Sequence, residues 1–390
     1  MAENELLDNP YQTITEYAEE LYPNTGMKVF RYLALQPCSL VLPPMPYKNR
    51  LERNTIHTLI LSKSGMAKSS ISQILQEISP HPIFFKKYTP AYLRDELFKY
   101  ENQQVSLITD DVSRIMSDGD MLKLLEGIME EQKVSEGTVT GGQKKFDIYA
   151  TVTLMGVYSD LTSKIQSGIL SRMTPVVFTH GIGEQLDVGR YIGENIAKIG
   201  NTNGEFESIK KHYQTIYEIQ KKDTKDRIMP RIISCSYTSD QRNKLINTWG
   251  KIVREMCSTS EETEVWYREL IDAFRFANSS ALLNIKNRKL KKISEDEAEI
   301  EVHDNDVKLA INLVGQEIKT KYLIIHYEGY REKLVPFGKI SRILDNGLES
   351  PQELMDKLNN YKETHKELFK NEPEPNLPRK QLPKGRPSPE

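Results

Sequence analysis

Between residue 55 and about residue 180, short apolar runs alternate with stretches whose apolar residues recur at helical spacing. Ile56–Leu61, Ile83–Phe85, Val105–Thr109, Ile148–Met155 and Pro175–Phe178 read as five strands, and Lys68–Ile78 reads as the helix after the first. Strands alternating with helices predict a parallel sheet of the α/β class. After about residue 190 the pattern changes, and long polar helices are predicted over roughly 205–222, 238–258, 262–284 and 304–320. Residues 1–50 read as a helical lead-in that ends in the proline-rich link LVLPPMPYKNR. Ser350-Pro351-Gln352-Glu353 is a helix start with a capping box and proline at the first helical position. With Lys339–Leu344 before it, it reads as half of a helix-turn-helix or as a plain helical hairpin. The last twenty residues carry six prolines and many charges, the composition of a disordered tail. The expected units are therefore 1–50, an α/β core over 51–190, a helical region over 191–320, a small helical unit over 321–370 and a tail over 371–390.

Composition narrows the setting. The 390 residues carry a net charge of −2, so any contact with nucleic acid must come from local basic patches. The three cysteines, Cys38, Cys235 and Cys257, are far apart and lack CxxC spacing, which argues against a disulfide framework or a zinc site and fits a reducing cytoplasm. MAENELLDNP is acidic and has no apolar stretch, unlike a signal peptide, and no run approaches the ~18–20 apolar residues of a membrane helix.

The chemistry is concentrated around HTLILSKSGMAKSS, His57–Ser70. A phosphate loop reads GxxxxGK[ST] between a strand and a helix: glycines let backbone N–H groups wrap the phosphates, the lysine reaches the β/γ-phosphates and the hydroxyl holds Mg²⁺. Here Ser62 and Ala67 occupy the two glycine positions, while Gly65, Lys68 and Ser69 remain. The stretch VSLITDDVSRI supplies a second half, an apolar strand ending in Asp110 and Asp111. In phosphate-loop ATPases such acids sit beside Mg²⁺ and beside the attacking water. The bland alternative is a solvated lysine on a strand-to-helix turn and two solvated acids at a strand end.

SGMAKS, ITDDVSRIM, MLKLLEGIMEEQKVSEGTVTGG and GILSRMTPVVF, in that order, resemble the AAA+ motor of minichromosome maintenance (MCM) replicative helicases. EQLDVGRYIGENIAKI and NDVKLAINLV resemble that family's lid, so the resemblance covers roughly residues 55–320. It implies a P-loop AAA+ core with a parallel sheet, then an α-helical lid, then the small helical unit, a candidate winged helix. The family has alanine before its loop lysine, which matches Ala67; Ser62 departs from it. Gly65, Met66, Ala67, Lys68, Ser69 and Ser70 are implied to line ATP, with Ser69 and Asp110 holding Mg²⁺. Asp111 stands where the family has glutamate and is one methylene shorter. Arg172, in ILSRMT, matches the arginine finger that reaches a neighbouring subunit's nucleotide, implying a ring, as in the family's hexamers. Arg268 is the sensor-2 candidate that would contact nucleotide, with Arg275 in reserve. The family's sensor asparagine falls on Gly156, with Thr153 and Ser159 as substitutes, and its large N-terminal DNA-binding region has no counterpart.

KVSEGTVTGGQKKFDIY, Lys133–Tyr149, reads as a hairpin with Gly141-Gly142 at the turn. In MCM-like motors this hairpin grips DNA in the channel. The family's tip lysine falls on Thr138, so Lys144 and Lys145 on the other arm are the candidates for contacting phosphates of single-stranded DNA. A solvated hairpin is the plainer alternative. IKNRKLKKISEDEAEIEVHD at 285–304, basic then acidic, reads as a solvated loop or helix junction. Three functions follow: an ATP-dependent DNA motor, an AAA+ switch or protein-remodelling ATPase indifferent to DNA, or a DNA scaffold that binds ATP with negligible turnover.

Overall fold

The computed structural model describes residues 5–47, 50–62, 67–131, 133–138, 142–157, 169–178, 189–190, 203–221, 229–256 and 267–326. Three helices open the chain, α1 (Pro10–Leu21), α2 (Gly26–Leu33) and α3 (Gln36–Val41), followed by a small antiparallel hairpin, β1 (Met45–Tyr47) and β2 (Arg50–Glu52), in the proline-rich link. The core then runs β3 (Thr58–Ser62), α4 (Lys68–Ile78), β4 (Pro82–Phe84), α5 (Pro90–Phe98), β5 (Gln104–Thr109), α6 (Val112–Ser117), α7 (Gly119–Glu131), β6 (Lys133–Thr138), β7 (Gly142–Asp147), β8 (Tyr149–Val157) and β9 (Thr174–Val177).

Five of these strands form one parallel sheet in the order β4-β5-β8-β3-β9. They are near-continuous apolar runs because both faces of the sheet are covered. Alternate residues feed opposite layers: Leu59 and Leu61 of β3 join the core under α5–α7, while Ile60 joins the one shared with α4 and the N-terminal helices. Val152 and Leu154 of β8 divide from Met155 in the same way. The N-terminal lead-in is thus part of the core. Gln36 of α3 donates to the Ile56 carbonyl at 3.1 Å and accepts from the Thr153 hydroxyl at 2.8 Å, bridging the segment that leads into β3 to β8.

Downstream come α8 (Asn203–Gln220), β10 (Arg231–Ser236), α9 (Ser239–Met256), α10 (Tyr267–Leu283), β11 (Leu290–Lys292), β12 (Glu297–Glu301) and α11 (Asp304–His326). The four helices lie close to the expected spans. The strands are a correction. The charged stretch at 285–304, expected as a loop or helix junction, forms β11 and β12, and these pair with β10 in the order β10-β12-β11. Its period-two signal is short: in EAEIE only Ala298 and Ile300 are buried, and flanking charges mask them. Helix α11 packs along α10 and α9 and reaches β9 of the core sheet. The expected small unit beyond residue 326, its helix start at Ser350 and the tail lie outside the described residues, as does most of the lid-like stretch 184–199. Among the described residues no helix is long and apolar enough to cross a membrane.

Candidate nucleotide site and arginine cluster

Helix α4 begins at Lys68, directly after Ala67 in a left-handed conformation (φ 47°), with no side-chain cap and no acidic residue in its first turn. A helix start without such a cap keeps its first backbone N–H groups for an anion. Lys68 donates from Nζ to the Ser62 hydroxyl at 2.9 Å, so the residue at the first glycine position of the motif touches the loop lysine. Gly65 and Met66 lie outside the described residues, and Ser70 follows in the first turn of α4.

The two sequence halves meet. The Ser69 hydroxyl donates to Asp110 Oδ2 at 2.7 Å, although β3 and β5, which deliver them, are separated by β8. Strands β3, β8 and β5 are parallel, so the loop after β3 and the acids after β5 emerge at the same, C-terminal edge of the sheet, where open α/β sheets bind ligands. The Asp110 side chain is 5% exposed. Its Oδ2 also receives the Lys86 ammonium at 2.9 Å, while its Oδ1 is buried and has no hydrogen-bond partner among the described residues. A hydroxyl, a carboxylate and an orphaned carboxylate oxygen are the hard-oxygen donors that suit Mg²⁺, which takes few protein ligands and completes its shell with phosphate and water. Among the described residues no group of three or more His, Cys, Asp or Glu could hold a metal by itself. Asp111 stands at the N-cap of α6 and accepts a hydrogen bond from the Ser113 hydroxyl.

Arg172 and Arg268 form a second cluster. Arg172 ends a short 3₁₀ turn just before β9 and pairs with Glu130, near the C-terminal end of α7. Arg268, in the first turn of α10, reaches the other oxygen of the same carboxylate at 3.1 Å. Hydrogen bonding from Arg172, then its charge and that of Arg268, hold the Glu130 carboxyl below its ordinary range against the opposing effect of burial. The pair lies at the opposite edge of the sheet from the start of α4. Thr174 at the start of β9 pairs with Thr58 at the start of β3, and Ser62 lies four residues further on, about 13 Å at ~3.3 Å per residue.

Other candidates are placed as follows. Arg275 is held by Glu52 at 2.9 Å, Asp272 at 2.7 Å and the Arg53 carbonyl at 2.9 Å, a structural set of partners. Thr153 points its hydroxyl to Gln36. Gly156 pairs with Leu61 near the end of β8, and Ser159 lies outside the described residues. The hairpin is present: β6 and β7 pair antiparallel, with Glu136 opposite Lys144 and Ser135 opposite Lys145, and residues 139–141 at its tip, with the side chains of Lys144 and Lys145, lie outside what is described. Sequence reasoning missed Lys86 and Glu130. Lys86 follows the short edge strand β4 and carries no motif. Glu130 was visible only as part of EGIMEEQ, since its partners are 42 and 138 residues away. No family model matches the chain, and no curated protein matches it.

Proposed function

We propose that this chain is a P-loop ATPase of the AAA+ kind, similar to MCM motors, that works on single-stranded DNA as a hexameric ring. The observation that carries the reading is the Ser69–Asp110 contact, with its orphaned carboxylate oxygen, at the shared edge of two non-adjacent parallel strands. ATP would sit against the start of α4, with Gly65 to Ser70 around its phosphates and the Lys68 ammonium offsetting their charge. Mg²⁺, when bound, would supply further charge neutralisation at the phosphates, held by Ser69 and Asp110. Asp111 would orient the attacking water and accept its proton. The distance of Arg172 and Arg268 from their own loop supports their acting on a neighbouring subunit's nucleotide, which makes turnover depend on assembly. Lys144 and Lys145 would meet DNA phosphates without reading sequence.

The test is ATP hydrolysis with and without single-stranded DNA, for the wild type, Lys68→Ala, Arg172→Ala and a mixture of the two variants. The expected result is DNA-stimulated turnover, lost in each variant alone and partly restored in the mixture, where an intact loop meets an intact arginine. Losses of 10³-fold or more are in the range of a finger supplied in trans. Turnover indifferent to DNA would instead favour the switch or protein-remodelling ATPase. One observation favours slow turnover: the short Asp111 side chain is already bonded to Ser113. Nucleotide binding with no turnover would leave the DNA scaffold.

A further inference from the structure

Behind the arginine cluster lies a buried ionic network that the ATPase reading does not use. The Lys321 ammonium on α11, 2% exposed, bridges Glu269 of α10 at 2.7 Å and Glu317 of its own helix at 2.8 Å, and both carboxylates are equally buried. Glu317 also accepts a hydrogen bond from the Thr174 hydroxyl at 3.2 Å. One oxygen on each glutamate, Oε2, has no hydrogen-bond partner among the described residues. Burial pushes the Glu317 carboxyl well above its ordinary range, Lys321 opposes this, and Asp272 and Glu269 add to it. Two carboxylates on one ammonium in the dry interior are a costly arrangement, and an apolar core of the same volume is often as stable or more so.

The network's two ends coincide with the two arginines. Glu269 directly follows Arg268, and within one helical turn Glu269 points into the core while Arg268, 40% exposed, points to Glu130. Thr174 begins β9 two residues after Arg172, and its backbone N–H is fixed to the His57 carbonyl at 2.7 Å. We infer that Lys321 is the positioning residue for this arginine pair: through Glu269 it sets the first turn of α10 and the aim of Arg268, and through Glu317 and Thr174 it sets the start of β9 and the aim of Arg172. It acts through the two carboxylates it holds, Glu269 and Glu317. The inference rests on the reading of Arg172 and Arg268 as arginines that serve a neighbouring subunit's nucleotide.

The test replaces the network without leaving a charge unpaired. The triple variant Glu269→Gln, Glu317→Gln, Lys321→Met keeps volume and removes all three charges. ATP turnover and thermal unfolding would be measured beside wild type and Arg172→Ala, with a fluorescent ATP analogue reporting affinity. The expected outcome is a folded protein whose analogue affinity stays within about twofold while kcat falls about 10–100-fold, the scale of a misplacement of about 1 Å. Adding Arg172→Ala to the triple variant should cost clearly less than the product of the two separate losses, because part of the network's effect runs through Arg172. Should the triple variant fail to fold, Thr174→Val removes only the link to β9, and a severalfold fall in kcat at unchanged affinity is expected. Wild-type kcat in the folded triple variant, or in Thr174→Val, overturns the inference while leaving the ATPase reading intact. Wild-type turnover indifferent to Arg172→Ala, or absent altogether, overturns both.

Discussion

Ala67, directly before α4, is held in a left-handed conformation. Its φ of 47° is left-handed, a region that costs a residue with a Cβ about 1–2 kcal/mol and glycine almost nothing. Glycine in turn gives the unfolded chain more freedom, worth about 0.5–1 kcal/mol against it. Ala67→Gly should therefore stabilise the protein modestly, by about 0.5–1 kcal/mol in urea unfolding. A lower midpoint would show that the conformation is not strained. Ser62 shows the opposite economy. A glycine has no hydroxyl to accept from Lys68, so Ser62 gives that ammonium a side-chain partner within the chain.

At the level of elements, the tightest fit joins α1 to α2. A Cβ built on Gly26 would lie 1.9 Å from the Ala18 carbonyl oxygen, a backbone atom that cannot swing away. Gly26→Ala should separate the two helices and destabilise the fold by about 1–3 kcal/mol, seen as a lower thermal midpoint. No fall would mean that α1 docks more loosely than its buried Ile14, Tyr17 and Ala18 indicate. The same scale shows what could be read in advance. The five core strands and α4 were legible because each buried strand is a compact apolar run and α4 carries Ile71, Ile74, Leu75 and Ile78 on one face. Strands β11 and β12 were not, because a thin sheet with one buried face needs only two or three apolar residues, which charged neighbours obscured. The strand-to-helix turn before Lys68 and the acids after β5 were legible because each is local in sequence. The meeting of Arg172 and Arg268 on Glu130, and Lys321 behind them, arises only when distant helices pack.

Across the whole molecule, two buried histidines make the fold sensitive to mild acid. His57 Nδ1 accepts the Val152 N–H at 3.1 Å while its other nitrogen faces the Met129 carbonyl, tying β3, β8 and α7. His212 Nδ1 accepts the Leu7 N–H at 3.1 Å, and Nε2 meets the Leu283 carbonyl at 3.0 Å, tying the N-terminal segment to α8 and α10. Both rings are thereby held as the neutral tautomer, since a proton on Nδ1 would face an N–H. Burial, chiefly, lowers His57 to about 3 and His212 to about 4, against an ordinary value of 6.5. Above that ordinary value neither the folded nor the unfolded chain binds these protons, so stability is flat with pH. Below it the unfolded chain takes protons that the folded chain refuses, and each histidine removes up to about 1.4 kcal/mol per pH unit until its folded value is reached. The histidines' contribution to the urea midpoint should therefore fall from about pH 6.5 towards pH 4, opposed by Glu317, whose raised carboxyl takes up its proton in the folded chain first, and well before Glu130, whose lowered pKa defers its own loss to more acid conditions. His212→Gln can still accept the Leu7 N–H but cannot titrate, so it should be less stable than wild type at pH 7, where it loses the packed ring, and should lose about half of the histidine-driven acid sensitivity. If its slope matched that of wild type between pH 6.5 and 5, the acid sensitivity would have to come from elsewhere, and the N-terminal helices would not be held to the rest of the chain through a neutral imidazole.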